Sequence, residues 1–306
     1  MKRVLLTGAA GFIGRHTIPT LQARGYEIHA ISSKHRSAEE GLNLIWHKMD
    51  LLDQSATEEL LAEIKPTHLL HLAWYTAPGK YWSSVENYRW LMASLSLAIA
   101  FAEQGGRRMV FAGSCAEYDW DYGYCVESLT PCRPATIYGT CKNTLNELLE
   151  SFAHQSGLSH AWGRIFFLFG PHEQAGRLVP DVICSLLRGQ DVACTHGTQL
   201  RDFLYVKDVA DAFVTLLDSE LRGAVNISSG KPLALSAIIN ALADRVGGNG
   251  QIQLGAKAAP ENDPPLLVGD SRRLHNKLAW SPAYTMNDAF DETIAWWQEN
   301  ISEGAQ

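Results

Sequence analysis

Short apolar runs alternate with amphipathic stretches along this chain. Val4-Leu5-Leu6 leads into Gly8, Gly11 and Gly14, and beyond the first glycines Ile13, Thr17, Ile18 and Leu21 share one side of a helical period. This pattern predicts strand, tight turn and helix. A second strand is predicted at 25–31, a third at 44–46, a helix over 54–64, and a fourth strand at 67–73, entered through Pro66. Ser83-Ser84-Val85-Glu86 has the form of a capping box and opens a long apolar helix to about residue 103. Gly105-Gly106 ends that helix, a fifth strand covers 108–112, and a polar, aromatic loop runs to Pro134 before a helix begins near Thr136. Strands alternating with helices predict an α/β fold, a doubly wound parallel sheet covered on both faces.

The opening turn carries the first chemistry. Gly8 lets the chain turn sharply, Gly11 lets a pyrophosphate approach the backbone, and Gly14 lets the helix lie close to the strand. The helix start, with Phe12 and Ile13, offers free N–H groups and the positive end of a dipole to a phosphate. The alternative is a glycine-rich turn with no ligand. At the end of the second strand an acidic residue would bond the ribose 2′-hydroxyl of NAD. This chain has Ser32, Ser33, Lys34, His35 and Arg36 there, and Arg15 follows the third glycine. Hydroxyls and cations favour a 2′-phosphate, so NADP(H) is expected, with NAD(H) also possible. Read without a ligand, the segment is a solvated basic loop.

Tyr138 and Lys142 lie four apart in the helix from Thr136, hence on one face. A free tyrosine, with a pKa of about 10, exchanges protons poorly at neutral pH. An ammonium one turn away favours the phenolate and makes the phenol an acid–base group. Ser114, at the end of the fifth strand, lies where ligands bind in open α/β sheets. Tyr-x-x-x-Lys alone reads equally as a surface pair; its place after a dinucleotide half, with a serine between, gives it meaning.

Bulk properties narrow the class. With 46% apolar and 19% charged residues in 306, a large core is expected rather than disorder. A net charge of −7 and no basic tract argue against nucleic acid as a partner. The six cysteines form no CxxC pair and read as reduced thiols of a cytoplasmic protein. His68 and His71, three apart in a strand, face opposite ways, and no metal site is expected. No stretch is long enough to span a membrane, and the apolar run before Gly8 is too short for a signal peptide.

These motifs together resemble the extended short-chain dehydrogenases/reductases, in their nucleotide-sugar epimerase, dehydratase and reductase branch. The resemblance spans nearly the whole chain. Thr7-Gly8-x-x-Gly11-x-x-Gly14 is similar to the cofactor turn, Asp50-Leu51 to the pair that meets the adenine, and His71-Leu72-Ala73 to the fourth-strand signature. Ser114-x-x-x-Tyr118 and Tyr138-x-x-x-Lys142 are similar to the catalytic elements, and Arg164 through Pro171 and Arg201 through Val209 to two later signatures. Leu278-x-Trp280-x-Pro282 through Trp296-Trp297 fits the ending.

The resemblance implies a Rossmann-like cofactor domain over 1–166, receiving returning segments near 200–230, and a smaller C-terminal α/β substrate-binding region over 167–306. It implies that Ser114 orients the substrate oxygen, Tyr138 carries the proton, and Lys142 tunes Tyr138 and holds the nicotinamide ribose. Leu72, Ala73 and Trp74 would border the cofactor, and Tyr75, Phe167, His172, Arg177 and Arg201 the nucleotide-sugar substrate. Arg201 would meet the diphosphate; the alternative is an ion pair with a nearby acid. His172 reads equally as a structural or exposed histidine. Helices 84–103 and 136–154 would pair two copies as a homodimer, or else serve as plain core.

Departures from the branch narrow the chemistry. Cys115 and Ala116 follow Ser114 where dehydratases carry acids, and Glu117 comes late. In an epimerising reductase of the branch, a cysteine two residues after the serine and a histidine at the position of Arg177 carry protons; here these are Ala116 and Arg177. Phe167, Trp74 and Tyr75 make the sugar pocket more aromatic, and 259–263 lacks a customary diphosphate-gripping arginine. The expectation is an NADP(H)-dependent reductase of a nucleotide-linked 4-keto-6-deoxy sugar. The alternatives are a 4-epimerase with tightly bound NAD and a non-catalytic dinucleotide sensor.

Overall fold

The computed structural model describes residues 2–33, 43–259 and 263–301. In chain order the elements are β1 (Arg3–Thr7), α1 (Gly14–Ala23), β2 (Glu27–Ser32), β3 (Leu44–Lys48), α2 (Gln54–Ile64), β4 (His68–His71), α3 (Glu86–Glu103), β5 (Arg108–Ser114), β6 (Tyr124–Cys125) and α4 (Ile137–Ser156). There follow β7 (Ser159–Ile165), β8 (Phe167–Phe169), α5 (Leu178–Leu187), β9 (Val192–Ala193), β10 (Leu200–Tyr205), α6 (Val206–Asp218) and β11 (Gly223–Ile227). The chain ends with β12 (Pro232–Ala234), α7 (Leu235–Val246), β13 (Ile252–Gln253), β14 (Leu266–Gly269), α8 (Arg272–Leu278) and α9 (Met286–Asn300).

Seven strands form one parallel sheet in the order β11-β7-β5-β4-β1-β2-β3. The order reverses direction between β1 and β4, and in such sheets ligands bind outside the carboxyl ends of the strands at that point. Near-continuous Val, Leu, Ile and Ala in β1, β2 and β5 are buried on both faces, as a covered parallel sheet requires. One face packs against α1 and α6, with Ile18, Leu21, Val209, Phe213 and Leu217 in the core. The other packs against α2, α3 and α4 through Leu61, Leu97, Phe101, Leu145 and Leu149.

Five of the remaining strands build a smaller sheet in the order β12-β10-β14-β6, with β8 also on β10, and β9 pairs with β13 in a separate ribbon. Its core of Phe169, Val182, Ile183, Phe203, Ile239, Leu242, Phe290 and Trp297 joins α5, α7 and α9. The chain crosses between the units repeatedly. Residues of the β5–α4 loop supply β6 to the smaller sheet, while α6 and β11 return to the large one. Asp202, fully buried, ties the layers together: its carboxylate accepts from Ser229 N–H at 2.7 Å, Gly230 N–H at 2.9 Å and Gly269 N–H at 3.2 Å.

One local expectation changes. The capping box at 83–86 does not form; α3 begins at Glu86 after Val85, which is already helical, and Ser84 Oγ accepts only the Glu86 N–H at 3.2 Å. Asn87, fully buried, takes over, donating to Tyr81 O at 2.7 Å and Ser84 O at 2.9 Å. A tertiary anchor replaces the local cap.

Candidate active site

The glycine turn sits at the reversal point of the sheet. Gly8 has a φ of +68°, and a Cβ there would lie 2.8 Å from Ala73 N. A Cβ on Gly14 would lie 2.1 Å from Gly8 O, so only hydrogen lets α1 start this close to β1. No side chain caps α1 at Ile13, which leaves its first amides and dipole for an anion. A cradle that a methyl group would fill, beside an uncapped helix start, fits a dinucleotide pyrophosphate. Leu72 and Ala73 hold the adjoining edge of β4 through Leu72 N–H on Thr7 O at 3.3 Å and Ala73 N–H on Thr7 Oγ1 at 3.3 Å. Phe12 and Ile13 are half-buried behind the turn.

Other cofactor residues take varied places. Ser32 closes β2 half-buried and Ser33 is exposed, so no carboxylate stands at these two positions. Lys34 and Arg36 lie outside the described residues. Asp50 is exposed and its Oδ1 accepts from Leu52 N–H at 3.0 Å, whereas Leu51 is core. Arg15 folds back over the turn, donating to Ala10 O at 2.8 Å and Gly11 O at 3.3 Å and meeting His172 Nδ1 at 2.6 Å. His172, with a φ of +68°, also packs on Trp296, 4.6 Å between ring centres. Burial and Arg15 pull its imidazole down to about 4. The structure therefore puts His172 beside the glycine turn.

Tyr138 and Ser114 meet. Thr136 caps α4 by accepting from Gly139 N–H at 3.1 Å. Gly139 lets the first turn of α4 rest on the backbone after Ser114: a Cβ would lie 2.2 Å from Ala116 O. Ala116 N–H donates to Ser114 Oγ at 3.2 Å, and the Ser114 hydroxyl lies close enough to the Tyr138 phenol to favour its ionised form. Burial pushes the phenol above its usual range, with Ser114 opposing.

Lys142 lies on the same face, with its Nζ engaged elsewhere. Its side chain is 3% exposed; Nζ donates to Ala112 O at 2.8 Å and lies 3.8 Å from the centre of the Trp74 ring. Burial pulls the ammonium down to about 7, with Glu117 opposing.

Aromatic rings wall the phenol. Tyr81 packs edge-on at 4.9 Å, Trp82 at 5.7 Å and Trp74 at 6.5 Å between centres, with Tyr75 and Trp120 in the same cluster. Trp74 Nε1 donates to Asn87 Oδ1 at 2.9 Å, so α3 fixes the ring that covers Lys142. The Arg177 guanidinium lies 5.2 Å from the Tyr81 ring centre. Phe167 lies on β8 under Arg201, 5.6 Å from the guanidinium. Arg201 is buried and paired with Asp263, whose other oxygen accepts from Gln199 Nε2 at 2.8 Å. The ion-pair alternative for Arg201 is thus the observed state.

Glu117 is held beneath Ser114. Fully buried, it accepts from Ser114 N–H at 2.7 Å, Trp162 Nε1 at 3.0 Å and Arg164 Nε at 2.7 Å. Tyr118 turns the same way, its hydroxyl donating to Asn226 Oδ1 at 2.7 Å. Both residues brace the floor rather than face the phenol. Sequence spacing missed Tyr81, Trp82 and Asn87, which loop packing brings in. The Ser114–Glu117 capping box was readable from its spacing of three.

A dinucleotide cradle facing a hydroxyl pair on a tyrosine helix defines an oxidoreductase of the short-chain type. The NAD dependent epimerase/dehydratase family model matches residues 4–228, and the chain belongs to that family. It is therefore an NAD-dependent enzyme of the extended short-chain class. A UDP-glucose 4-epimerase of Rhizobium meliloti is 26% identical, covering 98% of each chain. A UDP-glucuronic acid decarboxylase 1 of Xenopus tropicalis is 24% identical over 99% of this chain and 74% of its own length. The crystal structure of Thermus thermophilus UDP-glucose 4-epimerase complexed with NAD superposes with a TM-score of 0.84 at 24% identity, covering 97% and 99%. Among the described residues no helix is long and apolar enough to cross a membrane.

Proposed function

We propose that this protein is a nucleotide-sugar 4-epimerase. The observation that carries the reading is the Ser114–Tyr138 hydroxyl pair at the head of α4, beside the glycine cradle. Tyr138 takes the proton of the sugar carbon-4 hydroxyl and returns it after the ring has turned, and Ser114 orients that oxygen. When bound, the oxidised nicotinamide supplies a reversible hydride acceptor and a positive charge that favours the phenolate. Lys142, close to neutrality, holds the ribose side once Nζ is drawn from Ala112 O. Glu117, the acid that follows Ser114 in the chain, is locked in the floor, which speaks against a dehydratase. The activities of the epimerase relatives support the same reading over a 4-ketoreductase.

The ketoreductase reading draws on Ser32 and Ser33, which favour NADP(H) over NAD(H). Stoichiometry separates the two. An epimerase interconverts UDP-glucose and UDP-galactose, followed by NMR, with no net change at 340 nm; a reductase consumes added NADPH with a keto-sugar. Tyr138→Phe should lower kcat by at least about 100-fold while NAD(H) and NADP(H) titrations show unchanged cofactor affinity. Retained turnover would sink the mechanism.

The working unit proposed is a homodimer through α3 and α4. Val85, Tyr88, Met92 and Ile99, spaced three, four and seven apart, leave one face of α3 exposed and apolar, and Leu148 does so on α4.

A further inference from the structure

The two arginines on the substrate side are in opposite electrostatic states. Arg201 is paired with Asp263, whose other oxygen Gln199 holds. Arg177 has no carboxylate within ion-pairing distance among the described residues. Two acids lie in its neighbourhood. Glu173 is buried and pushed up to about 8, so it carries no charge at neutral pH. Asp181 is occupied by Gly176 N–H at 2.7 Å. What the Arg177 guanidinium does meet is the Tyr81 ring, 5.2 Å from its centre, and Tyr81 packs edge-on against Tyr138. The other walls, Trp74, Tyr75, Trp82 and Trp120, offer ring faces but no charge. A half-buried, unpaired guanidinium among aromatic rings is an anion site.

Position decides which anion. The phenol marks the reacting carbon 4. The diphosphate of a sugar nucleotide hangs from carbon 1, across the ring, whereas carbon 5 is bonded directly to carbon 4 and holds its substituent two bonds from it. A cation over the ring beside Tyr138 stands at the carbon-4 end. We infer that Arg177 binds a carboxylate on carbon 5 of the sugar, so that the substrate is a nucleotide-linked hexuronate rather than a neutral hexose. The inference rests on the nucleotide-sugar reading above. The planar fork of arginine matches a carboxylate with two parallel hydrogen bonds, which a lysine cannot reproduce. Tyr81 is the positioning residue, since its ring backs the guanidinium and its hydroxyl lies near the fork.

The test compares kcat/KM for UDP-glucuronic acid and UDP-glucose in the wild type, Arg177→Gln, Arg177→Lys and Tyr81→Phe, each checked for wild-type melting behaviour. The wild type should favour the uronate by at least about tenfold. Arg177→Gln should bring the ratio to about one, with Arg177→Lys and Tyr81→Phe in between. A wild type that favours the neutral hexose, or a ratio unmoved by Arg177→Gln, overturns the inference and leaves the epimerase reading standing. Turnover of neither sugar sinks the epimerase reading, and calorimetric binding then judges Arg177 alone. Tighter binding of UDP-glucuronic acid, lost in Arg177→Gln, supports the inference; equal affinities overturn it.

Discussion

Glu117 and Glu173 are the same residue in opposite settings. Glu117 receives Ser114, Trp162 and Arg164 and is satisfied. Glu173 is equally enclosed, yet its Oε2 has no partner, and burial raises its carboxyl to about 8. The fold then binds more protons than the unfolded chain between the ordinary value of 4.5 and about 8. Stability contributed by the neutral carboxyl is complete below 4.5 and is lost as pH rises through 8. Glu173→Gln keeps the shape without the charge. Its Tm should match wild type at pH 4 and exceed it by roughly 2–5 °C at pH 9; equal melting at both pH values would refute the assignment. The pairing of Tyr138 with Ser114 was legible because a helical spacing and a strand end fix local geometry. The state of Lys142 was not. Trp74 reaches it from the far end of β4 and is steered there by Asn87, contacts that no spacing reports.

At the scale of elements, the catalytic geometry depends on how closely α4 approaches β5. The contact is glycine on backbone: Gly139 against Ala116 O. In an ordinary helix interior, Gly→Ala stabilises by about 0.5–1 kcal/mol. Here the added methyl would meet a carbonyl that cannot step aside. Gly139→Ala should therefore reverse the usual sign, lowering Tm and separating Tyr138 from Ser114, with turnover falling at least about tenfold. An increase in Tm with full activity would show that this contact does not set the site. Strand and helix existence could be read from periodicity, and the order of the first five strands matched expectation. The start of α3 could not, since a buried asparagine took the role assigned to Ser83 and Ser84. The short strands β6, β8, β12 and β14 were equally invisible, being two to four residues long and defined by their partners.

For the whole molecule, the exposed stripe on α3 makes a prediction about assembly. Met92→Lys places a charge in the middle of that face, and sedimentation should show a dimer becoming a monomer. A wild type that sediments as a monomer at micromolar concentration would remove the homodimer from the proposal. The division of labour between halves was readable only coarsely. Arg201 looked like a ligand contact and is an ion pair, because Asp263 arrives from a loop more than sixty residues later in the chain.

The return of α6 and β11 to the large sheet bears on how the protein is made. Emerging from a ribosome, the first 200 residues hold six of the seven large-sheet strands, but the face shared by α1 and α6 lacks α6 and β7 has a bare edge. Neither is covered until residue 227 is outside the exit tunnel. The nascent chain thus carries sticky, half-clad β-structure for the synthesis of dozens of residues, an interval in which chaperones have a reason to bind it.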